Sequence, residues 1–229
     1  AVDLELTKAG KFRSQPDCTS DQGSGCAEQE FIVDTSRLYD SLQIFTHTRK
    51  ARLFVVFRHP VERAISKYFY IKVATWERNY KPQVANMTLF EYADSKLCYS
   101  NWVTRRMVNK MEGDLTNVDL EVAKEILRRK TLVLLLEDID GAVKRLRNFF
   151  GWNTEPLDQE QQNCLKDHMH TNPINVNTKK EHVEPGGPEW EAVKSKNLMD
   201  LELYYYAKEL YQQQEKAIFQ SNVAISSLQ

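Results

Sequence analysis

Arg52-Leu53-Phe54-Val55-Val56-Phe57-Arg58-His59-Pro60-Val61-Glu62-Arg63-Ala64-Ile65-Ser66-Lys67-Tyr68 decides how this chain is read. A short apolar, β-branched run ends at Arg58, Pro60 follows where a helix starts, and Ser66 falls inside that helix's second turn. The pattern predicts a strand, a tight corner and a helix. A helix start carries free N–H groups and a partial positive charge, so an anion with Arg58 on one side and Ser66 on the other would be well held. Phosphate is the guest that suits this chemistry.

Working outward, Leu53 to Phe57 reads as a buried strand and Pro60 to about Val73 as a helix, followed by a polar aromatic loop from Trp76 to Pro82. Thr88 is read as the N-cap of a short helix to about Lys96, with a second helix from Trp102 to about Met111. Asp119 is expected to cap a helix striped with Leu120, Ala123, Ile126 and Leu127 and ending in Arg128-Arg129-Lys130, charges that suit a helix C-terminus. Thr131 to Leu136 then forms a continuous apolar strand of the kind buried on both faces of a parallel sheet. Asp140 is expected to cap the next helix, with Val143, Leu146, Phe149 and Phe150 turned inward and Gly151 as its stop. Pro156, Pro173, Pro185 and Pro188 mark a mostly irregular stretch, after which Met199, Leu203, Tyr206, Ala207 and Leu210 make a stripe at helical spacing.

This rhythm predicts an α/β protein built on an open parallel sheet flanked by helices. Residues 1–50 are expected to be an irregular arm with a short strand at Glu30 to Asp34 and a helix over Ser36 to Phe45. The α/β domain occupies 51–216, and 217–229 reads as a frayed tail. At 229 residues and 41% hydrophobic content the chain buries one sizeable core. The net charge of −1 gives no whole-molecule field of the kind that draws in nucleic acid, so an anionic nucleotide must be met by local clusters. No run approaches the ~20 apolar residues of a membrane helix. The four cysteines match no zinc spacing, and His168 and His170 lack a third ligand, so no metal is expected. Cys18 and Cys26 share a polar loop in which a local disulfide would form under oxidising conditions, and Asn86-Met87-Thr88 is a glycosylation sequon.

The strand, Arg58-His59-Pro60 and Ser66 resemble the 3′-phosphate-binding segment of sulfotransferases that use 3′-phosphoadenosine 5′-phosphosulfate (PAPS). The similarity is greatest to the Golgi carbohydrate type, the heparan sulfate 2-O- and 6-O-sulfotransferases and related algal sequences. Asn101-Trp102-Val103-Thr104-Arg105-Arg106-Met107 is similar to a helix near the active-site cleft of that family, which implies that Asn101 and Arg105 lie on the substrate side. Ala123 to Leu127, Leu132 to Glu137, Leu146 to Trp152 and Asn197 to Gln214 resemble its helix, core strand, following helix and closing helix, so the likeness spans about Arg52 to Gln214.

The resemblance implies a P-loop-NTPase-like sulfotransferase fold, PAPS as cofactor, a carbohydrate hydroxyl as acceptor and residence in the Golgi lumen or secretory pathway. Arg58 and Ser66 would take the 3′-phosphate. Thr178-Lys179-Lys180 resembles the basic loop that closes over the cofactor, although a solvated loop tip has the same composition. The family's acceptor-activating base falls between its phosphate loop and the Arg strand, where His47 stands here. Glu137 and Asp138, at the end of the second strand, are placed either to contact ligand or to cap a helix. The family's Lys-Thr-Gly phosphate loop and the strand before it are missing: Thr7-Lys8-Ala9-Gly10-Lys11 has neither an apolar strand before it nor a helical pattern after it. A second expectation therefore stands beside the enzyme: a non-catalytic sulfotransferase-fold subunit or scaffold of a larger protein assembly, for which a plastid or mitochondrial complex is an alternative location.

Overall fold

The computed structural model describes residues 53–76, 80–150, 158–167 and 183–226. The expected arm, strand and helix within residues 1–50 lie outside the described residues, as does Gly151. β1 (Leu53–Phe57) turns through Arg58 and His59 into α1 (Pro60–Val73), where Pro60 fills a position that needs no backbone donor. There follow α2 (Pro82–Ala85), α3 (Leu89–Asp94), α4 (Trp102–Val108) and α5 (Asn117–Lys130). Next come β2 (Thr131–Leu135), a 3-10 turn (Leu136–Asp138) and α6 (Ile139–Phe150). The described chain ends with α7 (Gln159–Lys166), α8 (Pro188–Ser195) and α9 (Leu198–Ser226). It is a mostly helical α/β structure around a two-stranded parallel sheet.

Several local expectations are corrected. Thr116, not Asp119, is the N-cap of α5; Asp119 sits three residues later and closes a capping box with it. Asp138 rather than Asp140 accepts the hydrogen bond at the entrance of α6, from the Gly141 amide at 3.0 Å. β2 stops at Leu135 because Leu136 already belongs to the turn. The proline-marked region contains α7, started by an Asp158–Gln161 capping box. α9 continues past residue 216 to Ser226.

β1 and β2 pair in parallel register from Leu53 opposite Thr131 to Phe57 opposite Leu135. Parallel neighbours need a long crossover, and residues 58–130 with α1 to α5 supply it. Alternate side chains of β2 face opposite layers. Val133 and Leu135 pack with Trp102, Leu127, Leu203 and Ala207, whereas Leu132 and Leu134 pack with Ala142 of α6. A further cluster gathers Val61, Ile65 and Tyr68 of α1 with Tyr92 of α3 and Val193 of α8. All five residues of β2 are buried, but Phe54 of β1 is exposed.

The outer edge of β2 is closed by one side chain. The Gln214 amide of α9 accepts from the Val133 N–H at 2.9 Å and donates to the Thr131 carbonyl at 2.8 Å, as a neighbouring strand would. Further strands can join this sheet only beside β1.

α4 and α9 cap each other. The Asn101 side chain accepts from the amides of Met199 and Asp200, at 3.0 and 3.2 Å, in the first turn of α9. In return the Asp200 carboxylate accepts from the amides of Val103 and Thr104, at 2.9 and 2.8 Å, and from the Thr104 hydroxyl at 2.8 Å. Asp200 is fully buried, with the Arg63 guanidinium 3.9 Å away. Each helix thus satisfies the orphan donors of the other. Asp200→Ala strips three donors of their acceptor and leaves Arg63 without its carboxylate. The expected loss is about 3 kcal/mol or more, read as a fall of roughly 6–12 °C in thermal midpoint by circular dichroism; an unchanged midpoint would refute the mutual-cap assignment.

Candidate functional site

The carboxyl edge of a parallel sheet is where α/β proteins gather ligand contacts. Here β1 hands over to Arg58 and His59, and β2 to Glu137 and Asp138, because the two strands end level at Phe57 and Leu135. α9 crosses this edge and closes part of it. The Tyr204 hydroxyl donates to Glu137, and the Tyr211 hydroxyl donates to Asp138 at 2.5 Å. Burial, helped by those carboxylates, pushes the Tyr204 phenol well above its ordinary range and that of Tyr211 up to about 12. Lys208 stands 3.9 Å from Glu137 and over the Tyr204 ring at 5.6 Å. Glu137 and Asp138 therefore serve first as anchors for the closing helix.

Arg58 is partly exposed at the corner. Its Nε donates to Glu62 at 3.3 Å, and the Arg58 side chain is 25% exposed. Among the described residues no side chain caps the first turn of α1, since the N-cap residue His59 gives it no bond, and its first backbone donors face the corner. Arg58, Glu62 and Ser66 recur at four-residue spacing, and on α1 Glu62 and Ser66 share a face. Glu62 thus stands in line between the two residues expected to hold a phosphate. The sequence reading missed this competing carboxylate, although the i, i+4 spacing after Arg58 was there to be seen.

His59 occupies the N-cap position of α1 but gives no capping bond. Its ring stacks on Trp190 of α8 (centroids 5.4 Å apart, planes at 28°) and meets Tyr204 edge-on at 5.4 Å. Nδ1 is buried and has no hydrogen-bond partner among the described residues. Burial lowers the His59 pKa below 6.5, with Glu62 and Glu137 pulling it up and Lys208 pushing it down. The imidazole is consequently held neutral between two helices.

Asn101 and Arg105 are engaged inside the protein. Asn101 caps α9, and Arg105 donates to the carbonyls of Ser100, Lys110 and Gly113 at 2.9, 3.1 and 2.9 Å, fastening the loop after α4. Arg63 and Arg106 lie against the Trp102 ring at 5.1 and 4.8 Å, next to Asp200. Asn86 is exposed at the end of α2, and the Thr88 hydroxyl of its sequon is used in a capping box with Glu91. His47, Cys18, Cys26, Lys179, Lys180, His168 and His170 lie outside the described residues. Among the described residues no group of three or more His, Cys, Asp or Glu is placed to hold a metal ion, and no helix is long and apolar enough to cross a membrane.

The chain matches no family model, no curated protein and no solved structure with which it was compared. Its class is thus defined by the architecture itself, a mixed α/β protein with a polar cluster at the carboxyl edge of a short parallel sheet.

His59 supplies a pH test of this corner. With its folded pKa depressed, its contribution to stability is complete above about pH 6.5 and is lost as pH falls through the folded value. His59→Phe keeps the ring packing and cannot take up the proton. Between pH 7.5 and 5 the parent should lose more thermal stability than the variant; parallel curves would show that His59 does not titrate against the fold.

Proposed function

We propose that this chain is a sulfotransferase-like α/β protein whose β1–α1 corner receives the 3′-phosphate of PAPS, serving sulfuryl transfer to a carbohydrate hydroxyl. The observation that carries the reading is the corner itself: Arg58 at the end of a parallel strand, an uncapped helix start, and Ser66 farther along the same helix. Arg58 supplies guanidinium donors, the first turn of α1 supplies backbone N–H groups, and Ser66 supplies a hydroxyl. A surface ion pair such as Arg58–Glu62 contributes little to stability, so an incoming phosphate displaces it at small cost. PAPS would supply the sulfuryl group: sulfur leaves the 5′-phosphate oxygen for the acceptor oxygen, and the acceptor's proton passes to a base, the role assigned to His47. Cations must offset the charge that develops on the leaving phosphate. Lys179 and Lys180 suit the cofactor's closing loop, and a phosphate loop would have to come from another segment or a partner. The fold implied is the P-loop-like sulfotransferase architecture, with its remaining strands added on the β1 side, and the Golgi or secretory lumen is the compartment that goes with it.

A second reading, a non-catalytic subunit of a larger assembly, is favoured by a different observation. Trp76 is 61% exposed beyond the end of α1, with Val73 also exposed beside it, and a large aromatic ring in that state suits a protein contact. Titration calorimetry with 3′-phosphoadenosine 5′-phosphate separates the two. The enzyme reading expects weak binding that Arg58→Ala abolishes and Glu62→Gln strengthens about tenfold, because the competing carboxylate is gone. No heat at millimolar nucleotide from either the parent or Glu62→Gln would refute the cofactor site and leave the subunit.

A further inference from the structure

Two opposite charges share a groove at the far end of α1 without meeting. The groove has a volume of about 380 Å³ and lies between Phe69 and Lys72 of α1, the residues Asn86 and Met87 that follow α2, and Glu189 in the first turn of α8. That volume suits a small molecule, for which pockets run from about 300 to 1,000 Å³. The groove is separate from the Arg58 corner: α1 rises about 1.5 Å per residue, which places Lys72 roughly 18 Å along the helix from its start. The Tyr68 hydroxyl donates to the Met87 carbonyl at 2.7 Å, and Lys72 Nζ donates to that same hydroxyl at 3.1 Å. An ammonium carries three donors, so the bond to Tyr68 fixes where Lys72 sits and leaves its other donors to a ligand.

Among the described residues Lys72 has no carboxylate partner and Glu189 has no cationic one. Two residues along α8, by contrast, Glu191 is taken by Lys194 at 2.9 Å. A ligand with a single charge satisfies one of the two groups and shuts the other away from water unpaired, which is costly. A ligand with both charges satisfies the pair, since its carboxylate accepts from Lys72 and its ammonium donates to Glu189. The Asn86 amide, exposed at the rim, serves either end because it both donates and accepts. The rest of the wall is largely apolar. Phe69, Met87 and Val183 pack on the cluster around Tyr68 and Tyr92, stay only partly buried there and line the groove. What joins the ligand's two charges to this wall is therefore a compact hydrocarbon group.

We propose that this groove binds a free α-amino acid with an aliphatic side chain, held at its carboxylate by Lys72 and at its ammonium by Glu189. The site does not depend on nucleotide binding at Arg58. Saturation-transfer NMR on the full chain, without nucleotide, tests it with L-leucine and two half-ligands. L-Leucinamide keeps the ammonium and lacks the carboxylate, whereas 4-methylpentanoate keeps the carboxylate and lacks the ammonium. The parent should bind leucine about tenfold more tightly than either half-ligand, the worth of one charged hydrogen bond. Lys72→Met, which keeps an unbranched stem, should erase the preference over leucinamide and leave the preference over 4-methylpentanoate. Glu189→Gln should do the reverse, and Lys81→Ala should change neither. Leucinamide binding retained by Lys72→Met shows that the groove still folds, so the loss reads the charge alone. No transfer to leucine at millimolar concentration, equal binding of leucine and either half-ligand to the parent, or preferences that survive both substitutions would each overturn the proposal.

Discussion

The exchange of caps between Asn101 and Asp200 is the constraint on which the rest of the structure depends. Two helix starts far apart in sequence each lend the other a side chain, so neither α4 nor α9 is complete without the other. Burying the Asp200 carboxylate is tolerable because three donors and the Arg63 guanidinium surround it. Arg63 belongs to α1, so the same carboxylate also draws in the helix that follows the Arg58 corner. Asn101 adopts a left-handed backbone, φ 47° and ψ 48°, which asparagine tolerates better than most residues.

Everything at the sheet edge follows from where this junction sets α9. Its N-terminal half brings Tyr204, Lys208 and Tyr211 across the ends of the strands, and Glu137 and Asp138 are consumed in holding it. Farther along, Arg145 of α6 is fully buried against the Tyr211 ring and donates to the Tyr211 carbonyl at 2.7 Å, while Gln214 closes the β2 edge. One helix therefore seals the end of the sheet, blocks one of its sides and pins the opposite layer. At the surface of the corner, near the half-exposed Lys208, Arg58 is held by an exposed ion pair with Glu62.

Periodicity made much of this fold legible. β1, α1, the body of α5, β2 and the stripe of α9 follow directly from apolar spacing, because burial on a fixed face is written into every third or fourth residue of a helix and, for β2, into the unbroken apolar run of a doubly covered strand, whereas β1, expected to be buried, is buried only at Phe57. Start signals were less readable. Asp119 and Asp140 have the chemistry of an N-cap, yet Thr116 and Asp138 take those roles: Asp119, three residues after Thr116, closes a capping box instead, and Asp140 already lies inside the first turn of α6. α7 was hidden by the surrounding prolines and by a polar composition that leaves no apolar stripe.

The candidate site divides along the same line. That Arg58 ends a strand, that Pro60 opens a helix and that Ser66 lies within it are local facts, determined by the order of residues alone. The employment of Asn101 and Arg105 in holding backbone, the placing of His59 between Trp190 and Tyr204, and the tyrosine bonds to Glu137 and Asp138 were decided only by tertiary structure. The physical reason is that a helix or a strand is specified by neighbours a few residues away, whereas the partner of a polar side chain is whatever group packing brings within about 3 Å of it, and here those groups come from the other end of the chain.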